Sequence, residues 1–250
     1  MDKQPRRRWF QFRLRTLLVL TAIAAVALVG VLRERSRIAE QQRVLRPHVK
    51  AVANVIPNWR DDLWGYDHTH YAQYIEANLL TDDDLQYLLR LPALKELIVT
   101  NDPILTGPGL AYLQDVPSLR RLTLSETGVN DAGLEHLAGV TQLEYLRLTG
   151  GKFTGRGFAH LAGLSRLKRL DIEGRNITDD GLEPLGRLTQ IYELALRVSG
   201  CTDAGLKHLH SLKQLRRLEI DGRDITDAGL EELRRALPTC KVERLSRLAQ

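Results

Sequence analysis

A 24-residue repeat constrains the fold of this chain more than any other feature of its sequence. The clearest copy runs from Leu215 to Leu233, with the sequence LRRLEIDGRDITDAGLEEL. A glycine recurs every 24 residues in consecutive copies, at Gly109, Gly133, Gly157, Gly181, Gly205 and Gly229. A fixed step of this length indicates a stack of equivalent structural units.

Each copy contains two apolar patterns in a fixed order. Leu218 and Ile220 are two residues apart, so they share one face of a short strand. Leu230 and Leu233 are three residues apart, so they share one face of a helix. Thr226 precedes that helix and is a typical N-cap residue. Because one strand and one helix cannot bury their apolar sides alone, we expect the copies to stack.

The shared pattern is L-x-x-L-x-L, then polar residues, then I/V-T-D-x-G-L-x-x-L, and it resembles a leucine-rich repeat. It is similar to the 24-residue cysteine-containing and ribonuclease-inhibitor-like types over about residues 94–242. The resemblance implies an α/β fold, a right-handed horseshoe solenoid with parallel strands on its concave side and helices on its convex side. A single copy keeps the cysteine of the family, since the equivalent residues are Val129, Phe153, Ile177, Cys201 and Ile225.

The basic charge of the chain is concentrated near its N-terminus. The formal net charge is +5, yet residues 1–50 hold twelve Lys or Arg and three acidic residues. The repeat region is therefore mildly acidic. Because a nucleic-acid partner needs a basic face, none is expected.

We interpret residues 16–32 as one transmembrane signal-anchor helix that follows a basic segment at 1–15. The run carries no charge, and its length corresponds to roughly 25 Å of helix, at the short end of what crosses a bilayer. Aromatic residues typical of an interfacial belt precede it, at Trp9, Phe10 and Phe12. Two alternatives stay open, a signal peptide cleaved near residues 25–27 and a buried soluble helix.

The start of the chain also bears on its location. The excess of basic side chains before residue 16 favours a cytoplasmic N-terminus with the repeat domain exported. The sequence RRRWFQFRLRTLLVL resembles the start of bacterial single-pass, membrane-anchored leucine-rich-repeat proteins. We therefore expect a single-pass membrane protein.

Two segments separate the predicted anchor from the repeats. Residues 33–56 are predicted to form a juxtamembrane helical stalk with one apolar stripe that packs on the end of the solenoid. A short coiled coil that dimerises the chain is the alternative, although Pro47 interrupts the stripe. Residues 57–80, rich in Trp and Tyr, are expected to be an N-terminal cap. The repeat domain and its C-terminal cap then occupy residues 81–250, with seven stacked strands.

Motifs for catalysis or cofactor binding do not occur in the sequence. It contains no glycine-rich phosphate loop, nucleophile elbow or metalloprotease helix, so we expect neither an enzyme, nor a cofactor, nor a small-molecule substrate. Asp67, His68 and His70 are capable of binding a metal, but their spacing supplies no further ligand, and we interpret them as cap residues. A metal-binding protein is the least favoured alternative.

Two further sets of residues follow the repeat. Histidines directly before a core leucine are interpreted as a solvated feature of the helical side, at His136, His160 and His208. Cys201 and Cys240 occupy apolar positions and are expected to be buried thiols rather than a disulfide.

The positions between the buried residues of each strand point away from the core, and we call them the strand face. Its first column is Glu96, Arg121, Tyr145, Arg169, Glu193 and Arg217. Its middle column is Ile98, Thr123, Arg147, Asp171, Ala195 and Glu219, and its last is Thr100, Ser125, Thr149, Glu173, Arg197 and Asp221. In the resemblance this is the concave side of the solenoid.

The strand face is where we expect a partner protein to bind. Arginine and tyrosine are enriched among interface anchors. The candidate partner-binding residues are Arg121, Tyr145, Arg147, Arg169, Asp171, Glu193 and Arg197. A solvated face whose charges pair across the strands is the alternative. The sequence thus predicts a membrane-anchored leucine-rich-repeat protein, a non-enzymatic protein–protein interaction module at the cell envelope. A structural spacer without a specific ligand is the alternative function.

Overall fold

The computed structural model describes residues 74–77 and 80–245. The predicted basic segment at 1–15, anchor at 16–32 and stalk at 33–56 lie outside this part of the chain. So does most of the predicted cap at 57–80, including the cluster from Asp67 to His70. In the part of the chain that is described, no helix is both long enough and apolar enough to cross a membrane.

The described residues form one parallel sheet of eight strands in chain order. The strands are β1 Tyr74–Ala77, β2 Glu96–Asp102, β3 Arg121–Thr127, β4 Tyr145–Thr149, β5 Arg169–Thr178, β6 Glu193–Gly200, β7 Arg217–Asp221 and β8 Lys241–Arg244. Each strand pairs with the next, and every pairing is parallel. Consecutive copies of the repeat are therefore neighbours in space.

The 24-residue step sets the register of the sheet. Leu146 of β4 pairs with Leu170 of β5, and Leu170 pairs with Leu194 of β6. Their side chains, like the second apolar residue of each strand from β1 to β7, enter one continuous hydrophobic core. Because side chains alternate along a strand, the residues between them face the opposite side of the sheet. The predicted strand pattern is confirmed.

The helical side differs from the expected row of α-helices. Most of its segments are 3-10 helices, at Asp82–Arg90, Pro108–Asp115, Gly133–Leu137, Arg156–Gly163, Glu183–Arg187 and Lys207–Ser211. Short α-helical turns occur at Asp179–Leu182 and Asp203–Leu206, and the last copy has a longer α-helix, Asp227–Ala236. Leucines three residues apart do not distinguish the two helix types, because a 3-10 helix stacks residues i and i+3 directly above one another.

The glycine of each copy lies where two copies approach closely. A Cβ on Gly181 would lie 2.2 Å from the carbonyl oxygen of Thr154 in the preceding copy. That distance is far inside van der Waals contact, so no other residue fits without moving the backbone. Gly155 precedes its helix with φ +103, and a Cβ there would lie 2.4 Å from the carbonyl oxygen of Gly181.

The two ends of the sheet were predicted with different success. The sheet has eight strands among the described residues rather than seven, because β1 lies in the stretch expected to be irregular. Ile75 and Ala77 of β1 are buried at the positions that leucines occupy in later strands. At the other end, β8 lies in the stretch that was expected to form the C-terminal cap.

Aspartates at the helix starts join neighbouring copies of the repeat. The carboxylate of Asp82 accepts bonds from the backbone N–H and hydroxyl of Thr106 at 3.1 and 2.7 Å, and from the N–H groups of Gly107 and Gly109 at 3.0 and 2.9 Å. The same contact to the next threonine recurs from Asp131 to Thr154, from Asp179 to Thr202 and from Asp203 to Thr226. We call this series the aspartate ladder.

The aspartate ladder ends on an arginine. Within the described residues no threonine of a further copy contacts Asp227, and its carboxylate accepts a hydrogen bond from Nη1 of Arg244 at 3.1 Å. Nη2 of the same guanidinium donates to the carbonyl oxygen of Ile225. A charged side chain from β8 therefore satisfies polar groups that the next copy would otherwise cover.

Acidification is expected to weaken the first rung of the aspartate ladder. Burial raises the pKa of Asp82, but the bonds from the Thr106 hydroxyl and from the Gly109, Gly107 and Thr106 amides outweigh it and hold the pKa below its ordinary 3.8. A carboxyl whose pKa is lowered by folding stabilises the folded state above its unfolded pKa, and that contribution is lost as the pH falls through the folded pKa. Asp82→Asn should therefore lose less stability than the unmodified chain between about pH 5 and about pH 2.

Urea midpoints measured at each pH test this prediction. Asp83→Asn is the matched control, because Asp83 is exposed on the same helix and its carboxylate makes no contact with Thr106. The same pH dependence in Asp82→Asn and Asp83→Asn would contradict the assigned role of Asp82.

Candidate protein-binding face

The structure places all seven candidate residues on the strand face. Arg121, Tyr145, Arg169 and Glu193 are neighbours along the first column, in four consecutive strands. In the middle column Arg147 pairs with Asp171, and Arg197 lies in the last column of β6. The sequence therefore placed these side chains on adjacent strands correctly. Their role in binding stays a prediction.

Tyr145 lies at the centre of an interacting group. The guanidinium carbon of Arg121 lies 4.6 Å from the centroid of the Tyr145 ring, and that of Arg169 lies 5.6 Å from it. These distances are within the range of cation–π attraction. Because β3 and β5 flank β4, the ring is held from both neighbouring strands. Burial raises the pKa of Tyr145, and its hydrogen bond to Asp171 raises it further, so the hydroxyl keeps its proton at neutral pH.

Asp171 is the acceptor to which this group converges. The hydroxyl of Tyr145 donates to its Oδ2 at 2.9 Å. Arg169 donates from Nε to Oδ1 at 3.0 Å and from Nη2 to Oδ2 at 3.2 Å, which is a two-point contact. Asp171 is 5% exposed, so this carboxylate is buried with both oxygens satisfied. Paired buried charges of this kind fix the positions of the side chains around them.

Ion pairs extend from this group along the first column. Nε of Arg121 lies 3.2 Å from Glu96, and Nη1 of Arg169 lies 3.1 Å from Glu193. Farther along the sheet, Nη2 of Arg217 lies 2.8 Å from Glu219. These pairs are partly exposed, so each contributes little to stability. Their effect is to occupy most of the charged groups on the strand face.

Arg147 and Arg197 differ from the other arginines of the strand face. Both are half-buried. Within the described residues, neither makes a hydrogen bond or an ion pair. Arg197 lies between Glu173 and Asp221 of the adjacent strands. Arg147 has Thr123 and Asp171 as its neighbours in register.

A small depression lies on the strand face beside the Tyr145 group. Ala195 forms its floor, since its methyl group stands where the other strands carry longer side chains. Its rim consists of ion-paired side chains from three strands, Arg169, Asp171, Glu193, Arg217 and Glu219. The sequence places Ala195 in the middle column of the strand face, but it does not predict that the neighbouring side chains surround the alanine.

The cysteine and histidine side chains of the described residues form no reactive or metal-binding group. Cys201 is buried, and its Sγ donates to the carbonyl oxygen of Ile177 at 3.4 Å. Burial raises the pKa of the Cys201 thiol to about 12, which makes it unreactive. His136, His160 and His208 are half-buried on the helical side. Across residues 74–77 and 80–245, no group of three or more His, Cys, Asp or Glu is placed to hold a metal ion.

The repeat register, the leucine core and the parallel sheet together define a leucine-rich-repeat fold. No protein-family model matches the chain, and no curated protein matches it. Among solved structures, the chain is similar to an internalin (inlF) from Listeria monocytogenes str. 4b F2365, with 21% identity and a TM-score of 0.46 over 68% of this chain. It covers 54% of that protein, or about half of its length.

A second solved structure is similar to the same extent. It is an internalin C2 (inlC2) from Listeria monocytogenes str. 4b F2365, with 21% identity and a TM-score of 0.46. The alignment covers 71% of this chain and 83% of that one.

Proposed function

We propose that this chain is a membrane-anchored leucine-rich-repeat protein that acts as a non-enzymatic protein–protein interaction module at the cell envelope. The observation that supports the proposal is the strand face. The core residues beside it repeat from copy to copy, whereas the residues of the strand face differ between copies. On β3, β4 and β5 they place Tyr145, three arginines and Asp171 next to one another. Aromatic and arginine side chains held in one place are the usual anchors of protein interfaces. The T-D-x-G-L helices further favour the ribonuclease-inhibitor-like type of repeat.

Loss of capture on changing this face tests the proposal. The full chain, crosslinked in native membranes, should recover one protein reproducibly, and the same chain carrying Tyr145→Ala and Arg147→Ala should not recover it. Recovery by both chains alike would place the interaction elsewhere.

Membrane anchoring is proposed on the uncharged run at residues 16–32, with the basic segment before it on the cytoplasmic side. An apolar helix that spans the bilayer is not released by treatments that break ionic contacts. We therefore expect the full chain to stay in the membrane pellet after washing with carbonate and with high salt. Its appearance in the supernatant would contradict the anchor, and a mature N-terminus near Leu28 would show cleavage instead.

A structural spacer without a specific ligand is the second candidate. The ion pairs from Arg121 to Glu96, from Arg169 to Glu193 and from Arg217 to Glu219 support it, because paired charges on a sheet also keep a solvated face soluble. The spacer predicts that no single protein is recovered by crosslinking. It also predicts that changes on the strand face have no effect outside stability.

A further inference from the structure

Arg147 is a charged group that the fold leaves without a counter-ion. It lies in the middle column of β4 and is half-buried, yet it makes no hydrogen bond or ion pair within the described residues. A partly buried guanidinium loses some of its hydration, and an anion bound to it offsets that loss. A binding partner is therefore the natural source of its counter-ion.

The acid opposite Arg147 is already occupied. Asp171 is its register partner on β5, within reach of a side chain of this length. Asp171 instead accepts two bonds from Arg169 and one from Tyr145. A two-point contact with a guanidinium is stronger than a single bond. Arg169 therefore takes the carboxylate, and Arg147 is left free.

The other side of Arg147 offers hydroxyl groups. Thr123 of β3 is its register partner there, and its hydroxyl makes no hydrogen bond within the described part of the chain. Two residues farther along each strand, the hydroxyl of Thr149 donates to that of Ser125 at 2.8 Å. Guanidinium and hydroxyl donors side by side suit a carboxylate, which accepts several hydrogen bonds at once.

Arg197 does not offer the same site. Its register partners are Glu173 and Asp221, so acids of the strand face flank it on both sides. A partner's carboxylate would meet two negative charges there. Among the register and diagonal neighbours of Arg147, Glu173 on β5 is an acid that makes no ion pair within the described residues.

We propose that Arg147 and the hydroxyl of Thr123 bind a carboxylate from an acidic segment of the protein partner. The inference rests on the proposed function, because it names the chemistry of the partner for the same face. Arg121, Tyr145, Arg169 and Asp171 act as the fixed frame that keeps Arg147 available. Arg147 is then the residue that selects an acidic partner over a neutral one.

Selection from a library of random 12-residue peptides displayed on phage tests this inference on the purified full-length chain. The selected peptides should share an Asp or Glu. Replacing that acid with its amide should weaken binding to the unmodified chain about tenfold or more, since charge-assisted bonds are roughly twice as strong as neutral ones. The same replacement should change binding to Arg147→Ala less than about twofold, because the contact is then already absent.

Three further variants sharpen the test. Arg217→Ala is the matched control, since Arg217 is an arginine of the same face that is bound to Glu219 and Glu243, and binding should not change. Arg147→Lys should keep part of the affinity, because lysine supplies the charge without the planar fork. Glu173→Gln should strengthen binding about twofold to threefold, since it removes the acid that repels the peptide carboxylate.

The outcomes separate this inference from the proposed function. Suppose that the peptides bind Arg147→Ala with the same affinity as the unmodified chain, but lose affinity for Ala195→Trp. That result would overturn the carboxylate site and leave the strand face as the binding surface. Peptides that bind both variants equally well would overturn both proposals. Weaker binding to Glu173→Gln would overturn the carboxylate site even if Ala195→Trp fails to fold.

Discussion

Replacing Leu170 with alanine is expected to lower the free energy of unfolding by about 2–5 kcal/mol. Leu170 is 0% exposed at the centre of the sheet, where it pairs with Leu146 on one side and Leu194 on the other. The change removes buried methyl groups and leaves a cavity that two rigid neighbouring copies cannot fill. In a repeat protein it also weakens the contacts with both neighbours. Urea unfolding followed by circular dichroism measures the effect.

An exposed leucine of the same domain provides the control. Leu89 is 42% exposed on the helix Asp82–Arg90, so Leu89→Ala should shift stability by no more than about 0.5 kcal/mol. A Leu170→Ala chain with an unchanged urea midpoint would show that the core register is wrong. Equal losses in the two variants would show that the strand leucines carry no special share of the stability.

The register of the sheet could be read from the sequence because a fixed period leaves few alternatives. Shifting one strand by a single residue would move Leu170 out of the core and Asp171 into it. The same reasoning placed Arg147 beside Asp171 and Tyr145 between two arginines. The repeat period determines which residues are neighbours on adjacent strands, so the columns of the strand face could be predicted.

The period does not predict which of two neighbouring side chains binds a shared partner. Both Arg147 and Arg169 lie next to Asp171, and the two-point geometry of Arg169 decides between them. The 3-10 form of most helical segments was equally hidden, since the spacing of Leu110 and Leu113 suits either helix type. For the aspartate ladder a signal did exist, in acids such as Asp203 that lie 23 residues before a threonine. An acid at this place also suits the start of a helix, so the spacing alone does not identify its partner in the next copy.

The N-terminal strand was missed for a different reason. In β1 the core positions are Ile75 and Ala77 rather than the leucine pair of later copies. Alanine at the second position weakens the apolar pattern on which the repeat was identified. Among the described strands β1 pairs with β2 alone, and the end repeats of a solenoid commonly depart from the pattern of the inner ones. Ends of solenoids are therefore predicted less well than their centres.

Partner capture is expected to be lost when Tyr145 and Arg147 are both replaced with alanine. Anchors at the centre of an interface can each contribute about 2 kcal/mol or more to binding. Together they would weaken binding about a thousandfold, since each 1.4 kcal/mol is a factor of ten. Recovery of the partner after washing should then fall below detection. Quantitative mass spectrometry of the crosslinked material measures it.

The two residues differ in what their loss does to the fold. Arg147 makes no hydrogen bond within the described residues, so Arg147→Ala should leave unfolding almost unchanged. Tyr145 donates to the buried Asp171 and stacks between two arginines, so Tyr145→Ala should cost about 1 kcal/mol of stability. Tyr145→Phe keeps the ring and removes only that hydrogen bond. It should retain capture if the ring is the anchor.

The location of binding then follows from which variants lose the partner. Capture that is lost in Arg147→Ala and retained in Tyr145→Phe, with the chain still folded, places the interface on the strand face and attributes the effect to contact rather than to unfolding. Capture that survives the double change, yet is lost when Trp59, Trp64 or Tyr66 is replaced, would identify the predicted N-terminal cap as the binding element. Those aromatic residues precede the first described strand in the sequence, so the two results assign binding to different segments of the chain.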